Sequence, residues 1–436
     1  MPNEHMHLIA YLKTGPTALH SGGWRHPEAT LHDIFDPLRY EQTAQVLEAA
    51  KFDGAFFADF FGIPDTFQGL EMFIRAGGQS SYLDPMSVLP IMARATTHLG
   101  LGATISTSFS NAFHIARSLA SVDMLSKGRV AWNVVTSTSN TEAQNAGMDS
   151  MPEHDERYER ADETLEACMA LWNTWDKDPF VFDKDKGLFA DPDKVRYADY
   201  IGKWTKTRGP LPTPQSPQGH PVVMQAGSSP RGREFAARWA EVIFASESSD
   251  LAKMRDFYSD MHRRFAEAGR DPSSCKILSG LTPIIGETES IARERAEYLD
   301  SLEDPDYDLA YASLSVGADL SKHKTAEEVE KARGSQGSRG LNANLVDAAQ
   351  ASNVTLAEAS SKRKRNPKMV GTPKMIADAM QELFEGGGCD GFVVMPSIMP
   401  TSHEQFCRAV VPELQKRGLF RTEYRSTTLR GNLLQG

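Results

Sequence analysis

The sequence predicts an α/β protein, a (βα)8 TIM barrel enlarged by two insertions at its mouth. Three observations predict it. Short β-branched or apolar runs alternate with longer amphipathic ones, eight such pairs occur, and polar residues gather where the short runs end. Alternation of this kind demands parallel strands joined by helical crossovers, and eight units close into a barrel more naturally than into an open sheet. The chain has 436 residues, against roughly 250 for a bare barrel. One elaborated domain, residues 1–436, accommodates that length.

The first strand is read at residues 6–12 and a helix at 37–50, after Asp36. Strand two, 54–59, reads GAFFAD. Asp84-Pro85 then opens a helix running to 98, with an N-cap aspartate and proline at the first helical position, where no N–H is needed. Strand three is 100–107, its helix 114–126, and strand four 129–137, followed by a long helix over 152–175. Further strands fall at 221–226, 241–245, 276–285 and 391–395, with helices at 231–240, 251–268, 290–302, 373–384 and 402–417. Two stretches break the rhythm. Residues 177–219 are rich in Pro, Asp and Lys, and 303–368 hold helical patterns around 325–333 and 341–353. On the carboxyl side of barrel strands, insertions become lids over the site.

Composition removes several function classes. The net charge of −11 argues against nucleic acid as a partner. The one basic cluster, Lys362-Arg363-Lys364-Arg365, sits among Ser, Asn and Pro and reads as a solvated loop. No apolar run approaches the roughly 20 residues that span a bilayer, and the N-terminus lacks the features of a signal peptide, so a cytoplasmic setting without membrane attachment is expected. Cys168, Cys275, Cys389 and Cys407 are widely spaced and read as small apolar fillers. No metal site is expected, and His5 and His7 are read as incidental. GxxxxGK[ST], HExxH and GxSxG are absent. A GxGxxG spans 386–391, but it follows a helix and precedes a strand, the reverse of the dinucleotide-binding order.

The chemistry is expected at the carboxyl ends of the strands. Strand two ends in Asp59, strand three in Ser106-Thr107-Ser108, and strand four carries Asn133 and ends in Thr136-Ser137. Strand five ends in Gln225-Ala226-Gly227-Ser228-Ser229, directly before a helix. That turn offers hydroxyls and free N–H groups at a helix N-terminus, a ready anion site. His154 and Tyr158, spaced i, i+4, share one helix face and can converge on the same phosphate. Taken singly, each strand-end Ser or Thr also suits a helix cap.

These motifs resemble the bacterial-luciferase-like flavin monooxygenases, in the branch of the nitrilotriacetate and dibenzothiophene-sulfone monooxygenases. The resemblance is carried, in order along nearly the whole chain, by GGWRHP at 22–27, KFDGAFFADF at 51–60, HLGLGATIST at 98–107 and GRVAWNVVTS at 128–137. EHDERYERADE at 153–163, QAGSSPRGREFAARWAE at 225–241 and LFRTEYRSTTLR at 419–430 continue it. It implies FMN bound as FMNH2 at the barrel mouth, O2 as co-substrate, and a separate NAD(P)H:flavin reductase as partner. A homodimer or homotetramer is implied as well. By the same resemblance Asp59 and Thr104 are isoalloxazine neighbours, Asn133 and Thr136 strand-four flavin contacts, and His154, Tyr158, Ser228 and Ser229 the phosphate grip.

His20 and His26, flanking the Gly-Gly-Trp turn, are the candidate catalytic residues, as a positioned acid or hydrogen-bond donor; the same residues also suit a loop packed over the mouth. Tyr11, Trp24 and Phe56 are candidate pocket walls, and aromatic walls favour a planar or apolar substrate. The sequence departs from the sulfone-cleaving relatives around Ser313–Gly317, where they carry a lid histidine; the nearest here is His323. The expected reaction oxygenates a small organic substrate, with C–N or C–S cleavage as a consequence. The alternatives are a deazaflavin-dependent oxidoreductase on the same fold and a non-catalytic flavin-binding protein.

Overall fold

The structure, a computed structural model, describes residues 5–16, 19–77, 81–362 and 368–434. Eight strands form the barrel: β1 (His7–Leu12), β2 (Gly54–Phe57), β3 (Gly100–Ser106), β4 (Val130–Val135), β5 (Val222–Gln225), β6 (Val242–Ala245), β7 (Lys276–Ile285) and β8 (Gly391–Val394). Each pairs in parallel with its neighbours in sequence order, and β8 returns to β1, so the barrel is closed. The expected (βα)8 barrel is the observed fold.

Alternation along the strands builds two layers of core. Ile9, Phe56, Ala131, Met224, Val242, Leu278 and Val393 fill the interior. Leu8, Ala10, Phe57, Leu101 and Trp132 belong to the cluster shared with the surrounding helices. Those helices are α1 (Pro37–Ala49), α2 (Pro85–Ala95), α3 (Ala112–Leu125), α4 (His154–Trp172), α5 (Pro230–Trp239), α6 (Leu251–Glu267), α7 (Pro373–Glu385) and α8 (Thr401–Lys416). Asp36, Asp84 and Asn111 cap α1, α2 and α3 by accepting from the N–H two residues on. The Asn111 cap starts α3 two residues before the position read from the sequence.

The tail closes the amino end of the barrel: Leu429 and Leu433 join the interior cluster. Beside it Asp53, fully buried, accepts from the Leu8 N–H at 2.8 Å, contacts His7 Nδ1 at 2.9 Å and pairs with Arg421.

Residues 177–219 carry two antiparallel hairpins, Phe180–Asp183 with Leu188–Ala190 and Tyr200–Ile201 with Lys206–Thr207. The second insertion holds helices Tyr307–Val316, Ala326–Arg333, Arg339–Ser352 and Leu356–Lys362 around an apolar cluster of its own. It returns through a strand that the sequence reading missed, Lys368–Gly371, paired in parallel with the outer half of β7. Four residues beside a basic cluster give too short a pattern to read. The extra strand explains why two helices outside the insertion, Glu289–Ser301 and α7, lie between β7 and β8. Glu289–Ser301 packs on the extra strand and β7, and α7 takes the ring position beside α8. Arg363, Lys364 and Arg365 lie outside the described residues. The four cysteines are free and buried. Among the described residues no helix is long and apolar enough to cross a membrane.

Candidate active site

Two adjoining cavities open at the carboxyl ends of the strands. The smaller, about 430 Å³, is lined by the ends of β4 and β5, the first turn of α4, and Gly337, Ser338 and Arg339 of the second insertion. The larger, about 660 Å³, is lined by Asp59–Gly62, Ser81–Met86, Thr104–Ser106, Phe109 and His114, among others. Asp59, Phe60, Val135, Ser137 and Glu142 border both.

The smaller cavity gathers basic and hydrogen-bond-donating side chains at its α4 and α5 end. Helical periodicity puts His154, Arg157 and Tyr158 on one face of α4. Ser229 caps α5, accepting from the Gly232 N–H at 3.0 Å, and lies 3.3 Å from His154 Nε2. The Tyr158 hydroxyl shares hydrogen bonds with Ser229 and Thr136. Gly227 lets the turn approach these groups: a Cβ there would come within 2.2 Å of the Gln225 amide nitrogen and 2.8 Å of the Tyr158 hydroxyl, so those side chains would have to shift. Arg157 is 1% exposed, yet its Nε and Nη1 have no hydrogen-bond partner among the described residues. A buried guanidinium left unsatisfied is expensive, and an anion in the cavity it lines would satisfy it. Burial, and after it the charges of Arg339 and Arg157, lower the His154 imidazole against the pull of Asp155. The donor set fits a phosphate group at a helix N-terminus.

At the larger cavity, the Thr104 hydroxyl donates to the Phe57 carbonyl at 2.8 Å and accepts from Asn133 Nδ2 at 2.8 Å. Asn133 lines neither cavity, and among the described residues its Oδ1 has no hydrogen-bond partner, nor has Gln225 Oε1. These are two further buried acceptors at the mouth. Burial raises the Asp59 carboxyl, against hydrogen bonds from Ser81 and Phe60. Glu142 ties the loops together, accepting from the Ser137 hydroxyl at 2.9 Å and the N–H groups of Phe61, Thr138 and Ser139 at 3.3 Å. Glu247, just past β6, accepts from the Thr282 N–H at 2.8 Å and hydroxyl at 3.1 Å, and burial pushes its carboxyl up to about 7.

The structure therefore brings together Asp59, Thr104, Thr136, His154, Tyr158, Ser228 and Ser229 along two contiguous cavities, with Asn133 bonded to Thr104. Tyr11 and Phe56 stand in the barrel interior, edge to face at 5.4 Å, and Phe56 stacks on Phe244 at 4.5 Å. His20, Trp24 and His26 line neither cavity. The Trp24 indole donates to the Ala76 carbonyl, His26 meets Tyr298 edge-on, and His20 Nε2 lies 3.2 Å from Glu303, 3.3 Å from Asp300 and 3.1 Å from Lys368 Nζ. The sequence reading missed Arg157, Glu142, Glu247 and Arg339. Arg157 was within reach, because it lies three residues after His154 on the same helix face.

Fold and site together define a (βα)8-barrel enzyme with its candidate active site at the carboxyl ends of the strands. Residues 16–390 match the luciferase-like monooxygenase family. The chain belongs to that family and is a monooxygenase. It is 42% identical to the dibenzothiophene-sulfone monooxygenase of Rhodococcus erythropolis (strain XP), over 99% of this chain and 96% of the relative. It is 37% identical to nitrilotriacetate monooxygenase component A of Aminobacter aminovorans, over 96% and 94%. Among solved structures, a riboflavin lyase with modified FMN and riboflavin superposes with a TM-score of 0.90 at 32% identity, over 99% of this chain and 96% of that one.

Proposed function

We propose that this chain is the oxygenase of a two-component system, receiving FMNH2 from a separate NAD(P)H:flavin reductase in the cytoplasm and oxygenating a small organic molecule. The observation that carries the cofactor reading is Arg157, a buried cation with open donors lining a cavity that adjoins a second, larger one. His154, Arg157, Tyr158, Ser228 and Ser229 hold the phosphate; Asp59, Thr104, Asn133 and Thr136 surround the ring system. When bound, the reduced flavin supplies two electrons to O2, one oxygen atom entering the substrate and the other leaving as water. The protein's own part is to bind, orient and keep water out. Glu142 holds the β2 and β4 loops closed around the mouth, and residues 335–339 cover the phosphate end. The two-component arrangement is supported by a relative that is itself named a component.

Phe60, Phe61 and Phe109 wall the larger cavity, with Phe61 and Phe109 stacked at 5.9 Å. They favour a planar or apolar substrate, and C–S or C–N cleavage follows where oxygen enters beside the heteroatom. The test is a panel of aryl sulfones, thioethers and tertiary amines with FMNH2 supplied by a reductase, read as product and as hydrogen peroxide released. A substrate converts flavin oxidation from peroxide release to product with an oxygen atom from labelled O2. Peroxide yield unchanged across the panel, with no labelled product, would overturn the reading.

A further inference from the structure

The smaller cavity has two walls of different origin. Arg157 comes from the barrel. Arg339 comes from the second insertion, where it opens the helix Arg339–Ser352. The segment before Arg339 is docked on the barrel: the Gly337 N–H donates to the Thr138 carbonyl at 2.8 Å, Gln336 Oε1 accepts from the Asn140 N–H at 3.0 Å, and the Ser335 hydroxyl donates to the Met151 carbonyl. Arg339 itself is held loosely. Its guanidinium lies 3.5 Å from Asp155 and 3.8 Å from Glu153, both exposed, distances beyond a charge-assisted hydrogen bond. Repulsion between the two guanidiniums weighs on Arg157, and Arg339 also opposes charge on His154. Three basic groups, His154, Arg157 and Arg339, thus line one cavity, whose lining carboxylates are Asp59 and Glu142, and Glu142 is taken up by the Ser137 hydroxyl and the loop N–H groups.

We propose that Arg339 is a second cationic ligand of the flavin's terminal phosphate, so that the insertion itself reads the phosphate and the site selects FMN over riboflavin. The inference rests on the FMN reading above. A phosphate dianion between Arg157 and Arg339 turns their repulsion into a bridge between barrel and insertion, and guanidinium geometry suits that contact. A flavin without phosphate leaves the two cations opposed and adds nothing to the hydrogen bonds of Ser335, Gln336 and Gly337 that dock the insertion. Phosphate binding then tightens the docking of the insertion.

The experiment uses the whole protein with Arg339→Ala and Arg339→Lys, titrated with FMN and with riboflavin by flavin fluorescence. Hydrogen exchange over residues 303–362 is measured with each flavin and with inorganic phosphate. FMN, and phosphate at high concentration, should protect the insertion in the wild type, while riboflavin should not. Arg339→Ala should weaken FMN by about tenfold or more, the order of one charged hydrogen bond, leave riboflavin unchanged, and lose the protection. Arg339→Lys should fall between. Equal FMN affinity in Arg339→Ala, or equal protection by riboflavin, would overturn the proposal while leaving the FMN reading intact. Failure of the wild type to bind FMN at all would overturn both.

Discussion

Arg157 sits at the head of α4 with its side chain sealed from water and two of its nitrogens unsatisfied. Replacing it by methionine removes that burden along with the phosphate's main charge partner. Arg157→Met is therefore expected to lose FMN affinity by about 10- to 100-fold, the order of a charged hydrogen bond, while the melting temperature without flavin holds or rises; calorimetry and flavin titration check the two halves. Glu247 gives a pH signature of opposite kind. Burial raises its carboxyl to about 7, so below that value the fold keeps a proton that the unfolded chain has already lost. Stability from this group falls as pH rises from the ordinary glutamate range to about 7 and stays low above it. Glu247→Gln should remove that slope, and its melting temperature should exceed the wild type's most clearly above pH 7. A flat difference between pH 5 and 8 would contradict the assignment. Side chains of this sort were only partly legible in the sequence. Ser229 and Tyr158 announce themselves by type and position, but whether Arg157 is exposed or sealed depends on what α5 and the insertion lay over it.

Elements position these groups, and the second insertion does so through a single turn. Gly337 has φ +77°, and a Cβ there would meet the Val316 carbonyl oxygen at 2.0 Å. Gly337→Ala should therefore lift residues 335–339 off the β4 loop. The expected outcome is more hydrogen peroxide per FMNH2 oxidised, with secondary structure by circular dichroism unchanged. Peroxide yield equal to wild type would show that the turn does not shield the site. His20, in the loop after β1, meets Glu303 and Lys368, the first and last residues of the insertion. The helices of this insertion around 325–333 and 341–353 were readable from periodicity, and Thr325 caps the first of them. The strand Lys368–Gly371 was not, since its pairing with β7 is a tertiary fact that four residues do not encode. The strand-end polar clusters were readable because barrel topology sends every carboxyl end to one face.

At the scale of the whole molecule the barrel is closed from below by its own tail. Against the raising effect of burial, Arg421 and His7 hold the Asp53 carboxyl below its usual range. The stability it supplies is present above the ordinary aspartate value and is lost as pH falls through the folded one. Asp53→Asn leaves Arg421 buried without its partner and should destabilise the protein by about 3–5 kcal/mol at neutral pH, measured by denaturant unfolding; a loss under about 1 kcal/mol would mean that the tail is not anchored there. The closed barrel was the most legible feature of the sequence, since eight strand–helix alternations admit few architectures. Which molecule is oxygenated was the least legible, because the larger cavity is assembled from four separate loops. The central claim is that the mouth binds reduced FMN and governs its reaction with oxygen. Its most direct test mixes the protein anaerobically with FMNH2, adds oxygen by stopped flow and follows flavin absorbance. Reoxidation with kinetics distinct from free FMNH2, returning to the free rate in Arg157→Met, is the expected result. A wild-type trace that superimposes on free FMNH2 would contradict the account.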